Sequence, residues 1–86
     1  MDNTEKLLKA LANRRRLAIV HLLDHGRTAT VGDIARTIKL SFKATSKHLG
    51  ILRAADVVER EQVNLNMIYR LSRPVHQILK SALNVL

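Results

Sequence analysis

The sequence contains no cysteine and no tryptophan, and only one proline, one phenylalanine, one tyrosine and three glycines. Each shortage removes a class of protein. Without cysteine there are no disulfides, no thiolate metal sites and no cysteine nucleophile, and redox usage leaves the compartment unmarked. Glycine is too scarce for a phosphate-cradling loop. With so few aromatics the core must be aliphatic, which suits helices packed on helices. No apolar run approaches the roughly 20 residues of a membrane span. Met1 is followed by Asp2, Asn3, Thr4 and Glu5 rather than by a signal peptide, so a cytoplasmic location is expected. Acid is scarce as well: 7 Asp and Glu stand against 15 Lys and Arg, a formal charge of +8. Caps and helix ends account for most of those carboxylates, and no enzymatic role is expected. The charge implies an anionic partner or surface, with nucleic acid the leading candidate and simple solubility the bland alternative.

What remains is mostly helical pattern in a chain of 86 residues, enough for one domain and a single core. Asp2 and Glu5 have capping-box spacing, and Leu7, Leu8 and Leu11 give the following short helix an apolar stripe. Asn13 can cap a second helix from Arg14 to about His25. Its Leu17, Ile19, Val20, Leu22 and Leu23 are too many for one narrow face, which makes this helix central, and Gly26 is its natural left-handed stop. Thr30 and Asp33 repeat the capping logic before Val31, Ile34, Ala35 and Ile38, a third helix ending near Lys39.

Ser41 then caps a fourth helix, Ser41 to Ala54. Leu40, Ala44, Leu49 and Leu52 form a stripe that can be buried, while Lys43, Thr45, Ser46, Lys47 and His48 form a polar and basic face. Two helices joined by so tight a turn cross steeply. That is the geometry of a helix-turn-helix, whose second helix enters the major groove N-terminal end first. Beyond Asp56 the period changes. Val57 to Val63 and Met67 to Leu71 alternate like two strands, with Asn64, Leu65 and Asn66 between them, a hairpin placed as a wing. Pro74 opens a last helix with Val75, Ile78, Leu79, Ala82, Leu83, Val85 and Leu86, more apolar surface than a lone monomer leaves exposed. The predicted fold is therefore mainly α with a two-stranded β-hairpin, a single winged helix-turn-helix domain over residues 1–86.

The segments Leu8 to Leu23, Thr30 to Ser41, Ala44 to Glu61 and Met67 to Leu71, in that order and spacing, resemble the ArsR/SmtB family of winged-helix repressors. The likeness covers nearly the whole chain. It implies a homodimer built by the first and last helices, here 2–12 and 74–86, with the fourth helix in the major groove and the wing on the backbone or minor groove. The family's metal ligands are missing. Thr30 and Gly32 stand where many members have cysteines, Arg73 and Val75 replace the Asp and His of the last helix, His76 is out of register, and this sequence stops at Leu86. No metal or other cofactor is expected, and an inducer is either of another kind or absent.

The expected DNA-binding residues are Ser41, Phe42, Lys43, Thr45, Ser46, Lys47 and His48 on the fourth helix, with Arg60, Asn64 and Asn66 on the wing. Phe42 either packs on thymine methyls or lies over a neighbouring helix, and the cost of an exposed ring favours the second. His48 either touches DNA or braces the turn. Leu7, Leu11, Val75, Ile78, Leu79, Ala82 and Leu83 are the expected dimer interface. His21 and His25 have metal-ligand spacing on the second helix, but a surface pair is the simpler reading. Arg14, Arg15 and Arg16 begin a helix, where positive charge opposes the dipole. They suggest a carboxylate across the dimer or the DNA backbone, and the sequence does not choose. A different class of reading is a winged-helix interaction module that docks an acidic protein.

Overall fold

The computed structural model describes residues 4–86. Asp2, half of the expected capping box, lies outside them. The order is α1 (Thr4–Leu11), α2 (Arg14–Leu22), β1 (Ala29–Thr30), α3 (Val31–Ile38), α4 (Phe42–Ala54), β2 (Val58–Val63), β3 (Asn66–Leu71) and α5 (Gln77–Leu83). No helix among the described residues is long and apolar enough to cross a membrane.

The core is aliphatic, as the composition requires. Ile19, Val20 and Leu23 of the α2 region, Ile34 of α3, and Leu49 and Leu52 of α4 are all fully enclosed. Each such side chain contributes about 1.5–3 kcal/mol of transfer free energy. α2 is thus central, but it ends at Leu22, three residues before the expected stop. The cause is Asp24, whose side chain accepts the N–H of His25 at 2.8 Å. His25 and Gly26 then both take left-handed backbone, φ 63° and 73°. His21 and His25 therefore do not share a helix face, and the spacing that suggested a ligand pair is lost.

The wing is a three-stranded antiparallel sheet, order β1-β3-β2, rather than a hairpin alone. β1 pairs Ala29 with Tyr69 and Thr30 with Ile68. That edge anchors the wing to the start of α3. The β2–β3 register runs from Val58↔Leu71 to Val63↔Asn66. Asn66 is thus a strand residue, and the tip shortens from three residues to Asn64 and Leu65. Asn64 supplies the positive φ (57°) that a two-residue turn needs at its first position.

α5 begins at Gln77, not at Pro74, because His76 is its cap: its Nδ1 accepts the N–H of Ile78 at 3.0 Å. The expected interface residues divide in two. Leu7, Leu11 and Leu79 are 4%, 6% and 2% exposed, enclosed by their own chain. They need no partner, which corrects the expectation for those three. Val75, Ile78, Ala82 and Leu83 are half-buried. Leu8, expected to share the buried stripe of α1, faces outward, as do Val85 and Leu86.

Candidate nucleic-acid interface

α4 is held at both ends by backbone chemistry. Before it, α3 closes on Lys39 in left-handed conformation (φ 57°), with the Leu40 N–H on the Ala35 carbonyl at 3.0 Å and the Lys39 N–H on Arg36 at 3.3 Å. This double bond pattern is a Schellman stop. One residue later Ser41 caps α4, its Oγ accepting the Ala44 N–H at 3.1 Å. α4 ends in the same way, with Asp56 at φ 58° and the Val57 N–H on the Leu52 carbonyl at 2.9 Å. A cap, a buried stripe and a defined stop hold the helix at a set angle to α3 and hand the chain to the wing.

The stripe is Thr45, Leu49 and Leu52. Thr45 is a correction to the sequence reading, because its side chain is fully enclosed and points away from the polar face. With Leu49 four residues on, it falls on the core side of the helix, and its Oγ1 has no hydrogen-bond partner among the described residues. Phe42 is the opposite correction. Rather than being covered against a neighbouring helix, the residue is 63% exposed. Lys43 and Lys47 are exposed one turn apart, and Ser46 is half-buried one turn beyond Phe42. Gly50 continues the exposed face, and a Cβ built there meets nothing within 4 Å among the described residues. Sequence reasoning passed it over, although a glycine in a helix interior costs about 1 kcal/mol and asks for a reason.

The electrostatics of this surface are one-sided. Between Asp33 and Asp56 the chain has Arg36, Lys39, Lys43, Lys47 and Arg53 and no acid. Arg36 is paired with Asp33. The N-terminal end of α4, where the helix dipole is positive, thus projects lysines with no carboxylate on its own helix to offset them.

His48 is half-buried behind this face. Arg16 Nη1 lies 3.3 Å from its Nδ1. Guanidinium can only donate, so Nδ1 accepts and the ring proton sits on Nε2. Burial above all, and then the charges of Arg16, Arg15 and Lys47, lower the His48 pKa below its ordinary value. The partner His48 holds is thus Arg16 of α2, not the turn it was expected to brace. The same contacts explain the arginine triplet. Arg16 Nε donates to the Ala10 carbonyl at 2.5 Å and Nη2 to Lys9 at 3.3 Å. Arg15 Nη1 donates to the Ile38 carbonyl at 2.8 Å. Two guanidinium groups thus cap the negative ends of α1 and α3, a use that neither expected role anticipated. Arg14 is exposed.

On the wing Arg60, Asn64 and Asn66 are exposed. Arg60 lies opposite Tyr69, with Nη1 3.4 Å from the phenol oxygen. The carboxylates of Glu59 and Glu61 are both held by Arg70, at 2.9 and 2.8 Å. One guanidinium offsets only one of the two carboxylates, and Arg60 balances the other, so the two strands carry no net charge. The structure thus gathers Ser41, Phe42, Lys43, Ser46 and Lys47 on one helix and Arg60, Asn64 and Asn66 on the hairpin, sets His48 behind them and removes Thr45.

Two helices joined by a left-handed turn, the second with its polar face outward, followed by a β wing, define the winged helix-turn-helix class. A helix-turn-helix domain model matches residues 11–61, and the chain belongs to that family. It is 37% identical over 67 residues to the HTH-type transcriptional regulator Rv2034 of Mycobacterium tuberculosis, covering 78% of this chain and 62% of that protein. To the transcriptional activator HlyU of Vibrio cholerae it is 40% identical over 67 residues, 77% of this chain and 60% of HlyU. The matched stretch therefore spans about three-fifths of these two relatives. Among solved structures, reduced HlyU superposes with a TM-score of 0.82 at 32% identity, covering 98% of this chain and 84% of that one. A homodimeric winged helix-turn-helix DNA-binding domain from Mycobacterium bovis, Mb0332, a possible ArsR-family regulator, gives 0.82 at 27% identity, covering 98% and 74%. The ArsR-like resemblance read from Leu8 to Leu71 is borne out, and so is the winged fold.

Proposed function

We propose that this chain regulates transcription by binding a pseudo-palindromic DNA operator as a homodimer, most simply as a repressor that occupies the site. The observation that carries the reading is the acid-free face of α4 and its cap, with Ser41, Lys43 and Lys47 exposed, Ser46 half-buried among them, and Leu49 and Leu52 fixing the helix to the core. Lysine and serine at the N-terminal end of such a helix reach guanine edges and phosphates, and Arg60, Asn64 and Asn66 follow the backbone or minor groove. The dimer is supported by outward apolar surface, Leu8 at 49%, Val85 at 84% and Leu86 at 51% exposed, beside half-buried Val75, Ile78, Ala82 and Leu83. Two-fold symmetry then sets the recognition helices about one helical turn, roughly 34 Å, apart.

Mobility shift on duplex DNA tests the reading. Affinity should fall steeply with salt, and Lys43→Ala should reduce the slope of log affinity against log salt by about one if that lysine meets a phosphate. Binding that ignores salt, or no binding to duplex even in dilute buffer, would favour the interaction-module reading. HlyU is named an activator. A reporter with the selected operator placed over, and then upstream of, a promoter decides the sign here, and repression from the overlapping position is expected.

A further inference from the structure

Phe42 is the chain's single phenylalanine, and it is spent where the fold does not use it. At 63% exposure the ring forgoes most of the burial that makes phenylalanine favourable. It follows the Ser41 cap directly and shares a flank of α4 with Ser46, while Lys43 and Lys47 occupy the adjacent row. The surroundings limit what can cover it. An apolar protein partner calls for further exposed apolar side chains nearby, as around Leu8, Val85 and Leu86 elsewhere on the surface. On α4 the ring's neighbours are two exposed lysines and the half-buried Ser46, and the helix carries no acid to repel a polyanion. A lone apolar ring within a basic, hydroxyl-bearing field matches a major groove, where phosphates flank the base edges and the C5 methyl of thymine is the apolar group on offer.

We infer that Phe42 is a specificity-determining residue that packs on a thymine methyl group in each operator half-site. The inference rests on the regulator reading and adds to it the base class recognised. Lys43 and Ser46 supply polar contacts to neighbouring edges or phosphates, and the ring supplies discrimination that hydrogen bonds cannot: it distinguishes thymine from uracil, and 5-methylcytosine from cytosine.

The test alters the DNA first, so it does not depend on how a variant folds. An operator is selected from random duplexes with the full chain, and each thymine of a half-site is replaced singly by uracil, which removes only the methyl group. One position should weaken wild-type binding about four-fold, the worth of one buried methyl group, and about sixteen-fold when both half-sites carry the change. At that position cytosine should bind less tightly than 5-methylcytosine. Phe42→Ala should bind the thymine operator more weakly and respond equally to thymine and uracil, with an unchanged melting temperature because the ring is exposed. Uracil tolerated at every position would overturn the inference while leaving the regulator reading intact. So would a Phe42→Ala protein that keeps the full thymine preference. Absence of duplex binding altogether would overturn both.

Discussion

Replacing Thr45 by valine should stabilise this protein. The side chain is fully enclosed on the core side of α4, and its Oγ1 has no hydrogen-bond partner among the described residues. The backbone is not in question, because the Thr45 N–H is bonded to the Ser41 carbonyl at 3.0 Å. A buried hydroxyl left unsatisfied costs about 1–3 kcal/mol. Valine has nearly the same shape, exchanges that hydroxyl for a methyl group, and differs little from threonine in helix propensity. The expected gain is therefore about 1–3 kcal/mol, and for a domain of this size each kcal/mol moves the melting temperature by roughly 4–8 °C. Urea and thermal unfolding should be compared at one protein concentration, since self-association contributes to apparent stability. Thr45→Ala removes the same hydroxyl but leaves a methyl-sized gap, so it should gain less, and Thr45→Ser should lose stability. Operator affinity should be the same for Thr45→Val and wild type. A destabilised Thr45→Val would show that the hydroxyl has a partner. An unchanged fold with reduced affinity would return Thr45 to the DNA face, where the sequence pattern first put it.

Gly50→Ala should raise stability by about 1 kcal/mol, since an added Cβ meets nothing within 4 Å. If the helix backbone sits close to the groove there, operator affinity should fall several-fold, and an affinity that is unchanged would refute that placement. His48 gives a pH dependence of definite sign. Its folded pKa lies below the ordinary 6.5, so the unfolded chain takes up the proton more readily. The stability it contributes is complete above about pH 6.5 and is lost as pH falls from there through the lowered folded value. Urea midpoints between pH 7.5 and 5 should therefore drop more for wild type than for His48→Gln, which keeps an acceptor for Arg16; equal slopes would contradict the assignment. Leu8→Asp should convert a dimer to a folded monomer in sedimentation, because Leu8 is 49% exposed within its own chain. Leu79→Asp, at a position 2% exposed, should prevent folding instead, as an unpaired buried charge costs several kcal/mol. A Leu8→Asp dimer as tight as wild type would place the interface elsewhere.

Much of the architecture could be read along the chain because its signals are local. Asn13, Thr30 and Ser41 were recognisable as caps and act as such, each accepting backbone N–H groups of the helix it opens. The three-residue spacing of Leu49 and Leu52, and the switch to alternation after Asp56, depend only on neighbours in sequence. A cap bonds to groups two or three residues away, and a strand pattern repeats every second residue, so both leave their mark in a short window. The lysines of α4 were legible for the same reason, since a basic run without acid needs no folding to be seen.

What escaped that reading is whatever depends on the surface that ends up opposite. Periodicity says which residues share a face, but not how wide the covered strip is. Thr45 therefore looked like part of the polar surface and Phe42 like part of the packing, and Leu7 and Leu8 looked alike. β1 is two residues long, too short for any period, and exists because β3 runs beside it. Arg15 and Arg16 look misplaced at the start of a helix until the carboxyl ends of α3 and α1 arrive within reach of their guanidinium groups. Local bonding chemistry thus settled where the elements lie and which helix is basic, whereas burial and long-range pairing were settled only when distant segments met, because the energy of a side chain depends on what covers it.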